Sequence, residues 1–135
     1  MFYEYNQNNS GGSFDFDAIA GISHFVIVEA NSPKQADALA EGIGLYFNGV
    51  DEGRDCDCCG DRWHPQWRDD GMDAPRIYGF EVGADKPYHS TWLWMKDQPE
   101  AFIHYLDGRI VPVEGVKITY EEEKARFAEL EATKA

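Results

Sequence analysis

Three cysteines crowd into the segment Cys56-Asp57-Cys58-Cys59-Gly60, and the chain has no others. Cys56 and Cys59 form a C-x-x-C followed by glycine, a spacing that points two thiolates of one turn at a single ion while Gly60 lets backbone amides approach the sulfurs. His64 stands five residues after Cys59. Cys56, Cys59 and His64 are therefore three candidate ligands for zinc, which takes nitrogen and sulfur donors in a tetrahedron. Cys58, His24 and His89 are the candidates for the fourth. No second C-x-x-C and no H-x-x-x-H accompanies the motif, so the sequence does not choose among them.

Other chemistries compete for the same residues. A redox dithiol would use Cys58-Cys59 or the C-x-x-C pair, but Asp55, Asp57 and Asp61 surround them. Negative neighbours are expected to raise thiol pKa values, the wrong direction for a thioredoxin-like site. The blander alternative is three reduced thiols, some packed as small hydrophobes. Asp55, Asp57 and Gly60 also match the first, third and sixth positions of a calcium-binding EF-hand loop, yet Cys59 takes the fifth and Gln66 the twelfth, where Glu should stand.

Elsewhere the chemistry thins out. The stretch 8–13 (NNSGGS) has the glycines of an anion-cradling loop but no following helix and no lysine, and reads better as a hairpin turn. His24 alternates onto one face with Val26 and Val28, the setting of a core histidine. His89 and His104 have no serine or carboxylate in a catalytic pattern, and neither a nucleophile elbow nor H-E-x-x-H occurs, so the reading leans away from an enzyme. Trp63, Trp67 and Tyr78 around the cysteines could form a recognition surface, though packing over a metal knuckle explains them more simply.

The elements that must position these residues follow from periodicity. Aromatic and polar residues alternate over 2–6 and again over 13–17, predicting an N-terminal hairpin. The run 22–30 is apolar on both faces, as a central strand should be. A helix follows, capped by Ser32, with Pro33 in its first turn, Gln35 completing a capping box, and Ala36, Leu39, Ala40 and Ile43 inward until Gly44. Residues 45–76 then lose all period and form a cysteine-containing insert, too long for a bare connector in a compact domain unless something staples it; a metal would do so. Strands are expected over 77–82 and 91–95, a helix over 97–108 with Phe102, Ile103 and Leu106 inward, and short strands at 109–113, with Pro112 marking an edge, and at 116–120. A charged helix from Glu121 closes the chain. The order predicts one α+β domain over 1–135, an antiparallel sheet with helices on one face and ferredoxin-like βαββαβ succession.

Composition narrows the partners. A chain of 135 residues can bury a core without disulfides, and a formal net charge of −13 repels phosphate backbones, so nucleic acid is not expected to bind. No apolar run approaches the roughly 18 residues of a membrane span, and the N-terminus lacks a signal-peptide layout, so a cytoplasmic protein is expected. The clustered cysteines agree with a reducing compartment.

Several stretches, 2–3 (FY) with 8–14 (NNSGGSF), 22–24 (ISH), 44–47 (GLYF) and 56–63 (CDCCGDRW), resemble those of an uncharacterised family of small proteins encoded by bacteriophages of actinobacteria. The resemblance covers about the first half of the chain and brings no assigned activity. It implies a host cytoplasm as the setting and a host or phage protein as the partner. The leading expectation is a zinc-stabilised, non-enzymatic binding module acting on a host or defence component. The rivals are a metal-dependent enzyme or small-ligand protein for a nucleotide signal, and a virion or assembly component, which would self-associate.

Overall fold

The structure, a computed structural model, describes residues 1–8, 15–77, 80–82, 99–113 and 128. Its centre is a mixed four-stranded sheet in the order β1-β2-β5-β6, formed by Phe2–Asn6, Phe25–Glu29, Ala101–His104 and Ile110–Val113. β1 runs antiparallel to β2, β2 parallel to β5, and β5 antiparallel to β6. A small antiparallel pair, β3 (Arg76–Ile77) and β4 (Phe80–Glu81), lies outside this sheet.

β2 is central, as its apolar run predicts, and its residues alternate between two cores. Val26 and Val28 face α1 (Pro33–Ile43) and pack with Tyr3, Tyr5, Ala36, Ala40, Leu45 and Trp63. Phe25 and Ile27 face the other way, against Ile77, Ala101 and Ile103. Burying both faces is what a parallel-paired strand requires.

Helix α1 forms where the sequence places it. Ser32 Oγ accepts the Gln35 amide at 3.1 Å, and Gln35 Oε1 reaches back to accept the Asn31 amide at 2.6 Å, so donors that no helical carbonyl can reach are satisfied. Gly44, at φ 128°, ends it, its amide bonding to the Ala40 and Glu41 carbonyls. Ala36 and Ala40 are buried, whereas Leu39 sits at the rim.

Three expectations need correction. The helix expected over 97–108 is absent where the chain is described: residues 101–104 form β5, all four buried between β2 and β6. Pairing on both edges satisfies every backbone group of a short apolar segment, and that outweighs a helix-start signature at Pro99-Glu100. The succession is therefore not βαββαβ over the described residues, and the sheet is mixed, not antiparallel. Next, β1 pairs with β2, which buries Tyr3 and Tyr5 against the helix-facing core; of the expected hairpin's second arm, the described residues 15–17 form no strand with it, and 13–14 lie outside the described residues. Finally, the run 77–82 is not one strand but folds back, Ile77 opposite Phe80. Pro112 does mark an edge strand, β6, which pairs only with β5 among the described residues. The strands expected at 91–95 and 116–120 lie outside the described residues, as does the closing helix apart from Ala128, which is helical.

His24 enters the core just before β2, its ring stacked on Phe25 at 4.2 Å between centroids. Burial lowers its pKa from 6.5 to about 4, and burial also lowers that of His104, whose Nε2 lies 2.8 Å from the Gly21 carbonyl. Below pH 6.5 the unfolded chain therefore takes up a proton that the folded His24 refuses until about pH 4. Stability should fall as pH drops through that window, and the His24→Gln variant should show a shallower fall in its urea midpoint between pH 7 and pH 4. Parallel slopes for the two proteins would refute the assignment.

Candidate metal centre

The insert meets the sheet through a buried polar hub. Gln7, just past β1 and 2% exposed, uses all four hydrogen-bonding positions of its amide. Its Nε2 donates to the carbonyls of Asp15 and Ser23, and its Oε1 accepts from the Asp15 amide and from Arg62. Arg62, 7% exposed, also donates its Nε to the Tyr46 hydroxyl at 3.2 Å and pairs with Asp15 at 3.2 Å and Asp55 at 3.8 Å. The fully buried Asp55 carboxylate accepts from the Tyr46 hydroxyl at 2.8 Å and the Arg62 amide at 2.9 Å. Any side chain at Gly49 would collide with that carboxylate, so glycine is what allows the turn there.

Further contacts hold the rest of the insert. Asp61 accepts the Val50 amide, Gln66 donates to the Glu4 carbonyl, and Asp37 on α1 accepts from both Tyr5 and the Gln66 amide. Phe2 and Met72 exchange two backbone hydrogen bonds at 2.8 Å each. The staple that the sequence reading assigned to a metal is thus supplied along this stretch by protein groups.

On that fixed base sits a tight turn carrying the thiols. The Cys56 carbonyl accepts from the amides of Cys59 and Gly60, with Gly60 at φ 84°, where a side chain would strain the backbone. Asn8, at the end of the β1 segment, ties the turn down by donating its Nδ2 to the carbonyls of Cys59 and Asp61. Its own amide bonds to the Arg62 carbonyl. The sulfurs of Cys56 and Cys58 lie 2.8 Å apart, those of Cys58 and Cys59 3.7 Å apart, and all three fall within 4.8 Å of one another. Cys56 is half-buried and the other two are exposed.

The two thiols in closest contact shift in opposite directions, Cys56 against the expectation from the acidic neighbours and Cys58 along it, and in both the leading cause is the other sulfur. Hydrogen bonds from the Cys58 thiol and amide, and then from Cys59, lower the Cys56 pKa, while the same contact with Cys56 raises Cys58 to about 11. Asp55 and Asp61 spend their carboxylates on Arg62, Tyr46 and Val50, so neither is turned on the sulfurs.

Of the predicted ligands, the structure gathers Cys56, Cys58 and Cys59. His64 is exposed, its ring edge-on to Trp67 at 5.5 Å, and is not among the side chains gathered with the sulfurs. His24 lies in the core, and His89 is outside the described residues. Trp63 is buried in the helix-facing core, whereas Trp67 is 79% exposed, so the aromatic residues near the cysteines divide into packing and surface; Tyr78 is outside the described residues. The sequence reading missed Arg62, Gln7 and Asn8 as the residues that present the turn. The one signal was an arginine beside a tryptophan in a loop of net negative charge. No helix among the described residues is long and apolar enough to cross a membrane.

The chain belongs to the family described as a domain of unknown function, DUF7296, which matches residues 1–121. No curated protein and no solved structure matches it.

Proposed function

We propose that this family member is a zinc-carrying, non-enzymatic binding module, in which Cys56, Cys58 and Cys59 hold the ion and His64 turns in to complete the tetrahedron. The observation that carries the reading is the convergence of three sulfurs at the surface of a loop that is already fixed from below. A soft, borderline ion such as zinc is what clustered thiolates bind, and a pre-set turn lowers the ordering cost of binding it. Because the hub secures the insert, the ion shapes only the tip, and His64 as fourth ligand would bring with it the exposed Trp67 that its ring contacts. An exposed tryptophan on a strongly acidic chain suits a basic protein partner, since aromatic anchors dominate interfaces and charge steers encounter. The similarity to small phage proteins supports a host or defence component as that partner and the cytoplasm of an infected bacterium as the setting.

Cobalt(II) titrated into metal-free protein tests the ligand set. Wild type should develop thiolate-to-cobalt charge-transfer absorption at one equivalent, and Cys56→Ser should lose it. His64→Ala should bind at least about tenfold more weakly, as loss of even an outer-shell partner does. Binding without a charge-transfer band would show that the sulfurs do not hold the ion. The interaction role would fail if zinc-loaded wild type and Trp67→Ala captured the same host proteins with the same recovery.

A further inference from the structure

The same turn carries a second chemistry, which the geometry assigns to two of its sulfurs: we propose that, without metal, Cys56 and Cys58 exchange with low-molecular-weight disulfides and close on each other.

Cys58 Sγ is 2.8 Å from Cys56 Sγ and 3.7 Å from Cys59 Sγ, so the C-x-C pair is the one poised to join. Cα atoms two residues apart in a tight turn fall within the roughly 4.4–6.8 Å that a disulfide spans, whereas adjacent cysteines such as Cys58 and Cys59 close only a strained ring. The turn that brings them together is already held folded by Asn8 and the Cys56 carbonyl. Cys58 is exposed and Cys56 half-buried, so a small disulfide can reach the pair from solvent.

The exchange runs in two steps. One sulfur of the pair, as thiolate, attacks a sulfur of the external disulfide, forming a mixed disulfide and expelling one thiolate. The second protein sulfur then attacks the protein-bound sulfur of that mixed disulfide, forming the Cys56–Cys58 bond and expelling the other thiolate. The protein loses two electrons and two protons, and the external disulfide is reduced to two thiols, which receive them. A bound ion would occupy both sulfurs and suppress the first step; this protection alone rests on the metal reading, and the closure does not.

Metal-free protein incubated with oxidised glutathione, followed by intact mass and peptide mapping without reductant, decides the matter. Wild type and Cys59→Ser should each lose two hydrogens and yield the Cys56–Cys58 linkage, while Cys56→Ser and Cys58→Ser should lose the closure and retain glutathione or stay unreacted. A stable glutathione adduct on wild type, a linkage to Cys59 in its place, or no reaction would overturn the proposal. Because the protein is metal-free, these results stand apart from zinc binding. Equal closure with and without a saturating equivalent of zinc would count against the metal site alone.

Discussion

Arg62→Met should destabilise the fold by about 3–5 kcal/mol, the range for removing one member of a buried charged network. The guanidinium reaches Gln7, Tyr46, Asp15 and Asp55, joining the end of β1 to both arms of the insert. Without it the Asp55 carboxylate, whose side chain is fully buried, loses its counter-charge and Gln7 Oε1 loses a donor. Methionine fills much of the volume, so the loss reports electrostatics and not a cavity. Arg62→Lys should recover only part, since a single ammonium lacks the planar fork that donates to Gln7 and Tyr46 at once. Urea unfolding followed by circular dichroism measures both. A loss below about 1 kcal/mol for Arg62→Met would mean that the hub is a surface network, worth what exposed pairs are worth.

Trp63→Ala should cost about as much, 3–5 kcal/mol, through a different cause. Trp63 is 2% exposed and among the largest fully buried side chains, packed with the helix-facing core beside Arg62. Truncation removes a large apolar contact area and leaves a cavity that a helix and sheet fixed on either side cannot close. The neighbouring Trp67, 79% exposed, supplies the contrast: Trp67→Ala should change stability by no more than about 0.5 kcal/mol, as surface substitutions do. Thermal unfolding of the two variants in parallel checks the pair. Similar losses in both would place Trp67 in a buried setting that its exposure rules out.

What the sequence disclosed was what local chemistry encodes. Ser32, Pro33 and Gln35 announced α1 because capping is a matter of three or four consecutive residues. The apolar run through Phe25 and Val28 announced β2 because burial on both faces leaves no polar position to alternate with. The cysteine trio was legible for the same reason, lying within the four residues 56–59. β5 was misread because Phe102, Ile103 and Leu106 satisfy helical spacing while Phe102 and Ile103 equally suit a short buried strand, which leaves Leu106 exposed beyond its end, and only the parallel partner β2, about 75 residues earlier, decides between them. The pairing of β1 was misread because an alternating strand states which face is apolar but not which strand lies alongside. The hub was invisible altogether. Gln7, Tyr46, Asp55 and Arg62 carry no mutual spacing, and their joint role arises only when the chain brings position 7 against position 62. That hub also moved the metal's role, since an insert stapled by Arg62 and Asp55 leaves an ion to act at the tip.

The most direct test of this account is the metal content of protein purified without a metal-affinity tag, read by elemental analysis and by native mass spectrometry of wild type and of Cys56→Ser and Cys59→Ser. The account predicts one zinc per wild-type chain, lost in both variants, with their urea midpoints close to wild type because the hub carries the insert. Metal-free wild-type protein that takes up no zinc when it is supplied would contradict the account.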